Sequence, residues 1–260
     1  MTDVTRKHGD YTGLAQDYDR FRPGYALSPL KALLALLDKP IAAADVADVG
    51  AGTGIWTRIL AGQGPRSLTA VEPNDDMRRV GQHSSAGLPI EWRAGSGEAT
   101  GLEDGSRDLV TMASSFHWVD YDAGMREFQR VLRSGGRFAA LWNPRLIEAN
   151  PILVDIEDHL AQLYPGMKRV SSGRSGLTDH LTDRLAATPG FGDVVYVEGR
   201  EILTKTPEEY LGAWRSVNDV QVQLGSERFE AFLAYVAERI SGCAVIETVY
   251  LTRLWTVRKN

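Results

Sequence analysis

Three glycines at alternate positions, Gly50, Gly52 and Gly54, lie in the run Ala47-Asp48-Val49-Gly50-Ala51-Gly52-Thr53-Gly54, and Glu72 follows Gly50 by 22 positions. Glycine reaches backbone torsions closed to other residues and lets the chain approach a ligand closely. A helix starting directly behind such a turn also aims unpaired N–H groups at that ligand. A carboxylate some twenty residues further on, at the end of the next strand, can accept protons from both hydroxyls of a ribose. Turn and carboxylate together fit an adenosine-bearing cofactor. The dinucleotide fingerprint needs a third glycine or alanine where this chain has Ile55, so a nicotinamide oxidoreductase is the weaker alternative. The blandest alternative is a glycine-rich bend beside an unrelated surface glutamate.

Other residues could handle an acceptor or a proton. His117 and Trp118 follow the fourth strand expected in the chain, and Trp142 and Asn143 end the fifth. The carboxyl ends of parallel strands open into the ligand crevice, so His117 could act as a base or orient an acceptor, or simply pack between its aromatic neighbours. Tyr11, Tyr18, Phe21, Arg22 and Tyr25 form an aromatic and basic entry segment. Ring faces attract a cation and an arginine binds a carboxylate, although the same rings could equally anchor an N-terminal helix. Arg145, Arg169, Arg174 and Arg215 would bind an anionic substrate if two of them converged. His159 and His180 are too scattered for a metal site, no HExxH or paired-carboxylate spacing occurs, and no metal is expected.

These residues need a frame, and the hydrophobic pattern supplies one. Ser28-Pro29 suits the start of a helix with Leu30, Leu33, Leu34 and Leu37 on one face. Strands are expected over 46–49, 67–71, 90–93, 108–113 and 137–142, with helices over 56–61, 75–82 and 121–132 between them. Such alternation predicts a parallel sheet with right-handed crossovers. Beyond it, 149–163, 177–187, 207–217 and 227–240 read as helices, while 194–203 and 248–257 read as strands. No linker divides the chain, so one domain is expected. Its parts are an N-terminal segment over 1–27, which the family resemblance given below implies is a lid, a cofactor-binding half over 28–144, a helical cap over 145–190 and the rest of the sheet over 191–260.

Composition narrows the class further. With 260 residues, 43% of them hydrophobic, the chain can bury a sizeable core. Its net charge of −5 argues against a strong electrostatic grip on nucleic acid or an anionic membrane. A single cysteine, Cys243, permits no intrachain disulfide. The polar start and the lack of a long apolar run point to a cytoplasmic protein, and a monomer or homodimer is expected.

Several ordered motifs resemble those of class I methyltransferases, and in particular the small-molecule branch that includes trans-aconitate methyltransferase-like proteins. They are the segment from Ala15 to Tyr25, the glycine turn, Val71-Glu72-Pro73, Gly97-Glu98-Ala99, Ala113 to Trp118 and Val131 to Gly136. The resemblance implies a Rossmann-like seven-stranded, mostly parallel sheet with a reversed last strand and helices on both faces. It also implies S-adenosyl-L-methionine as cofactor, leaving S-adenosyl-L-homocysteine as product. On that reading Asp48, Gly50, Ala51 and Gly52 line the methionine and ribose end, and Glu72 with Pro73 holds the ribose. Gly97, Glu98 and Ala99 flank the adenine, Ser114 and Ser115 lie beside the sulfonium, and Tyr18 and Arg22 reach the methionine carboxylate. Tyr11, Tyr25, His117, Trp118, Trp142 and Asn143 are left for the substrate, with His117 the candidate catalytic group. A methyltransferase acting on oxygen or carbon is the leading expectation, and a non-catalytic protein that binds the cofactor as sensor or scaffold is the alternative. The segment Ala113 to Trp118 lacks the Asp/Asn-Pro-Pro-aromatic pattern typical of amino-directed DNA methyltransferases. Beyond Asn150 the likeness thins to a general pattern of helices and strands.

Overall fold

The computed structural model describes residues 13–167 and 178–260. Seven strands form one sheet: β1 (Asp45–Val49), β2 (Ser67–Val71), β3 (Glu91–Arg93), β4 (Arg107–Ala113), β5 (Leu132–Trp142), β6 (Phe191–Lys205) and β7 (Ile246–Lys259). Their order is β3-β2-β1-β4-β5-β7-β6. The pairs β1·β2, β1·β4, β2·β3 and β4·β5 are parallel, while β7 runs antiparallel to both β5 and β6. The expected Rossmann-like sheet with a reversed last strand is therefore the observed one. β1, at the sheet centre, is buried along its whole length, as a strand covered on both faces must be.

Helices α1 (Ala15–Phe21) and α2 (Leu27–Ala35) precede the sheet, and α3 (Ile55–Ala61), α4 (Asp75–Ser84) and α5 (Tyr121–Val131) connect its parallel strands. Leu30 and Leu33 of α2 and Trp56 and Leu60 of α3 cover one face with Val46, Leu109 and Leu141. Met125 and Phe128 of α5 cover the other with Val110, Phe138 and Trp255, joined by Leu181 and Leu185 of α7 (Leu181–Ala186). Ser28 does not cap α2 as expected. The helix begins at Leu27, because the preceding N–H of Ala26 is held by Thr252 Oγ1 at 2.9 Å and fixes the entry of the chain.

A third apolar cluster lies apart from the sheet. It joins Leu153, Ile156 and Leu160 of α6 (Pro151–Leu163), Tyr210 and Trp214 of α8 (Pro207–Arg215), and Phe229, Phe232 and Val236 of α9 (Asn218–Ile240). The helical layer thus draws on more of the chain than the expected 145–190: α8 and α9 join α6, whereas α7 packs on the sheet. Within α9 the chain breaks at Gly225 (φ 71°, ψ 167°), and the second segment is the helix foreseen from Glu227 onward. Leu132 already pairs with Arg107, earlier than the expected start of β5, and the Ser134-Gly135-Gly136 turn bulges before pairing resumes at Arg137.

Candidate active site

The glycine turn is tied down by its own backbone. The N–H groups of Gly50 and Ala51 both donate to Val71 O, at 2.8 and 3.1 Å, which sets the turn against the end of β2. Gly50, Gly52 and Gly54 have φ of 65°, 58° and 80°, in the left-handed region. A Cβ on Gly50 would lie 2.7 Å from Ser115, so this position admits no side chain. Glu72 stands beside the turn, 6% exposed, accepting the Gly52 N–H at 2.7 Å on Oε2 and the Asn74 N–H at 2.8 Å on Oε1. Each oxygen keeps a lone pair for a further donor. Burial pushes the Glu72 carboxyl up, while the Asn74 and Gly52 amides and the nearby Arg78 pull it back.

Asp48 lies beneath this surface, not on it. Fully buried, it accepts from Thr57 Oγ1 at 2.6 Å and meets Thr111 Oγ1 at 3.1 Å. Burial raises its pKa to about 7, against the pull of both threonines, with the charge of Glu72 adding to the rise. Sequence reasoning placed Asp48 at the ligand; the structure makes it a support of the turn.

These groups line one end of a cavity of about 310 Å³, together with Pro73, Met77, Gly97, Glu98 and Val119. Gly97 faces Val119 so closely that a Cβ there would collide with it. Glu98 Oε1 accepts the Asp120 N–H at 2.9 Å, and Thr100 is held through its N–H and hydroxyl by Glu127. Ala99 exchanges backbone bonds with Ser96 and closes the loop without reaching the cavity. Met77, Asn74 and Val119 were not foreseen as lining. For Asn74 a signal existed: its side chain caps α4 by accepting from the N–H groups of Asp76 and Met77, a usual role for asparagine before a helix.

The opposite end is assembled from distant parts of the chain. Ser115, which lies against Gly50, and Ser114 line the passage from the turn to this end, and Ser114 has φ 54°, a strained value for a residue other than glycine. Tyr25 Oη meets Ser114 Oγ at 3.0 Å, and burial drives the phenol far above its ordinary range. Arg22 donates to Ser216 Oγ at 2.9 Å and Ser216 O at 3.1 Å, and its guanidinium lies 5.0 Å from the Tyr18 ring centroid. The helix α1, which carries Tyr18 and ends just before Arg22, is pinned by Asp19, which bonds Arg58 and Ser84. Asn143 lines the cavity but spends both side-chain groups on Gly24 O (2.7 Å) and Thr252 Oγ1 (2.8 Å), which holds the N-terminal segment in place.

Beyond Asn143 the chain continues along β7, where Arg145 pairs with Tyr250, and both line the cavity. The Arg145 guanidinium lies 4.7 Å from the Trp214 ring and donates to Glu157 at 3.0 Å. Burial alone would weaken its charge, but Tyr210, Glu157 and Tyr250 outweigh that and hold it firmly protonated. Trp214 and Trp56 are buried packing residues, yet both also line the cavity. Tyr250 and Val217 gave no sequence signal.

His117 and Trp142 do not stand where sequence reasoning put them. Trp142 is 1% exposed and donates its indole N–H to His117 Nδ1 at 3.2 Å, behind the cavity wall rather than in it. His117 Nε2 is buried without a partner among the described residues, and burial lowers the ring's pKa to about 4, against the pull of Asp219. A neutral, inward-turned imidazole is poorly placed to take a proton from a ligand. Trp118, next to it, does line the cavity and is 38% exposed. Arg215 is exposed at the end of α8, away from the cavity. Tyr11, Arg169 and Arg174 lie outside the described residues. Among the described residues no cluster of histidine, cysteine and carboxylate groups could hold a metal ion.

Comparison with known proteins agrees with this geometry. Residues 47–140 match a family model described as a methyltransferase domain. An uncharacterized methyltransferase of Mycobacterium bovis is 41% identical over 129 residues, covering 49% of each chain. A ubiquinone/menaquinone biosynthesis C-methyltransferase of Rubrivivax gelatinosus is 34% identical over 103 residues, 39% of this chain and 40% of its own length. The chain thus spans about half the length of the curated relatives it matches. A solved structure from Anaeromyxobacter dehalogenans, described as a candidate type II methyltransferase, superposes with a TM-score of 0.66 at 21% identity, over 92% of this chain and 98% of that one. Residues 47–140 are thus similar in sequence to methyltransferase domains, and the sheet and helices around them share the Rossmann-like fold of that solved structure.

Proposed function

We propose that the chain is an S-adenosylmethionine-dependent methyltransferase acting on oxygen or carbon of a small molecule, in the branch resembling trans-aconitate methyltransferase-like proteins. The observation that carries this reading is the pairing of a turn that has no room for a Cβ at Gly50 with Glu72, buried beside it and still able to accept two hydroxyl donors. The donor set fits the cofactor along its length. Glu72 would take the ribose hydroxyls, while Gly97 and Glu98, with apolar contact from Met77 and Val119, would meet the adenine. The backbone of Gly50, Ala51 and Gly52 would follow the methionyl chain. Arg22 would meet its carboxylate, and the Tyr18 and Tyr25 rings would face the sulfonium. When bound, the cofactor supplies an electrophilic methyl group, which an acceptor lone pair attacks as the carbon–sulfur bond breaks with its electrons going to sulfur.

The protein's task is then to aim the acceptor and exclude water. Among the described residues that line the cavity none suits a general base: Tyr25 is far too weak an acid, Glu72 and Glu98 stand at the adenosine end, and His117 is turned inward. An acceptor that arrives already nucleophilic fits such a cavity. A carboxylate or a stabilised enolate qualifies, with Arg145 as counter-charge and the Trp214 and Tyr250 rings as an apolar floor. The relative active in ubiquinone/menaquinone biosynthesis, a C-methyltransferase, supports carbon as an acceptor atom.

Calorimetry with S-adenosylhomocysteine tests the first half of the proposal, with tight binding expected. Incubation of cell extract with the protein and methyl-labelled cofactor tests the second, a labelled small acid or acidic enol being expected. No binding ends the reading; binding without any labelled product favours the sensor.

A further inference from the structure

β6 forms one edge of the sheet: among the described residues its only strand neighbour is β7. It is fifteen residues long, and from Val195 to Lys205 it pairs with β7 without interruption, so its outer side offers a regular row of backbone donors and acceptors. At its start the register shifts between Gly192 and Val195, and Asp193 takes φ 52°, which ends the regular stretch there. One face of this strand carries Tyr196, Glu198, Arg200 and Ile202, all exposed, with Ile202 at 62%. An exposed tyrosine and isoleucine on a long open edge are unusual in a strand that faces only water.

We infer that β6 pairs antiparallel with β6 of a second copy of this chain about a two-fold axis at Gly199, joining two sheets into one. The charges select this register. With the axis at Gly199, Glu198 faces Arg200 of the second copy and Arg200 faces Glu198, giving two opposite-charge pairs, and Tyr196 faces Ile202 twice. Shifting the axis by one residue sets Glu198 against Glu198 or Arg200 against Arg200. With that axis Val195 meets Leu203, so residues 195–203 pair entirely within the regular stretch. Glu198 is already oriented by the Tyr196 hydroxyl, which donates to its Oε2 at 2.7 Å and is itself held by Arg253 at 3.1 Å. Arg200 makes no hydrogen bond or ion pair with any described residue, so its guanidinium is available to the second copy. On the opposite face, a Cβ at Gly199 would collide with Ser28 of α2, so the glycine at the axis lets the strand sit flush on its own helix.

Charge exchange tests this directly. Sedimentation equilibrium of the full chain, from nanomolar to near-millimolar concentration, is expected to show a monomer–dimer equilibrium. Arg200→Glu places Glu against Glu and is expected to weaken the dimer by about tenfold or more. The double variant Glu198→Arg with Arg200→Glu restores opposite charges and is expected to recover it, while Ile202→Lys weakens it independently. All three sites are exposed, so circular dichroism should match the parent. A protein that stays monomeric at every concentration overturns the inference. So does a dimer indifferent to Arg200→Glu, or one that the double variant fails to restore.

Discussion

The two ends of the cavity are built in opposite ways. The proposed adenosine end comes from the glycine turn and the segments after the next strands, at 50–52, 72–77, 96–98 and 119, and much of it is backbone: the N–H groups of Gly52 and Asn74 fix Glu72, and Val71 O fixes the turn. The acceptor end gathers side chains from segments far apart in sequence, among them Arg22, Arg145, Trp214 and Tyr250. A backbone-built end tolerates little variation, because its groups are those every residue carries in one particular conformation. A side-chain-built end can be rewritten by substitution without disturbing the turn. The family model matches residues 47–140 and stops short of Asn143, which is the pattern expected if the first end is shared and the second is this chain's own.

The sharpest way to break that comparison is to remove one charged group from each end. Glu72→Ala takes away the proposed ribose acceptor and also leaves the Gly52 and Asn74 amides without their partner. S-adenosylhomocysteine affinity is expected to fall about a hundredfold, on the order of 2–3 kcal/mol, with the fold retained by circular dichroism. Unchanged affinity would take Glu72 out of the site. Arg145→Gln is the mirror experiment. Because it removes the positive charge facing Glu157, it is best made with Glu157→Gln as well. Cofactor affinity is expected to stay within about twofold while kcat/KM for the labelled acceptor falls about thirtyfold. A loss of cofactor binding in that variant would mean that the two ends are not separate.

The same division explains what could be read from the sequence. The glycine turn, Glu72 and the alternation of strands and helices rest on local rules: which residue reaches a positive φ, which pattern repeats at which period. They predicted the parallel sheet and the glycine turn with Glu72 beside it, while the reversed last strand came from the resemblance to class I methyltransferases. Burial behind a wall is not local. His117 follows β4 in sequence and Trp142 ends β5, but their mutual hydrogen bond turns the imidazole inward, behind the cavity wall, and no spacing announces that. Asp48 shares the run of the turn yet points under it to Thr57 and Thr111, residues that only packing brings together. Tyr250 alternates in β7 like any sheet residue and becomes part of the cavity only because the chain after Asn143 follows β7 back to it.

Asp48 sharpens the comparison from underneath the adenosine end. Its folded pKa of about 7 lies above the ordinary carboxylate value. The fold therefore prefers the protonated acid, and this contribution is fully present at low pH and lost as pH rises through about 7. The substitution Asp48→Asn mimics the protonated acid toward Thr57 and Thr111. At pH 8 the variant is expected to be more stable by about 2 kcal/mol in urea unfolding, with the difference shrinking toward pH 4. A variant less stable than the parent at pH 8 would show that the charge of Asp48 is used.

His117 lies behind the acceptor end and titrates with the opposite sign. Its folded pKa, about 4, is below the value of 6.5 for a free ring, so the fold prefers neutral imidazole. That contribution is complete above pH 6.5 and is lost as pH falls toward 4, because the buried ring must then take on a charge beside Trp142. His117→Gln keeps an acceptor for the Trp142 indole N–H and removes the titration. It is expected to flatten the acid side of the stability curve by about 2 kcal/mol between pH 6.5 and 4, and to leave the alkaline limb set by Asp48 in place. Turnover of the labelled acceptor at pH 8 should stay within about threefold of the parent, since a neutral ring that donates no proton and accepts none from the ligand has little chemistry to lose. A fall of about a hundredfold or more, with cofactor affinity intact, would instead bring His117 to the reacting atoms and make the acceptor end include what now stands behind it.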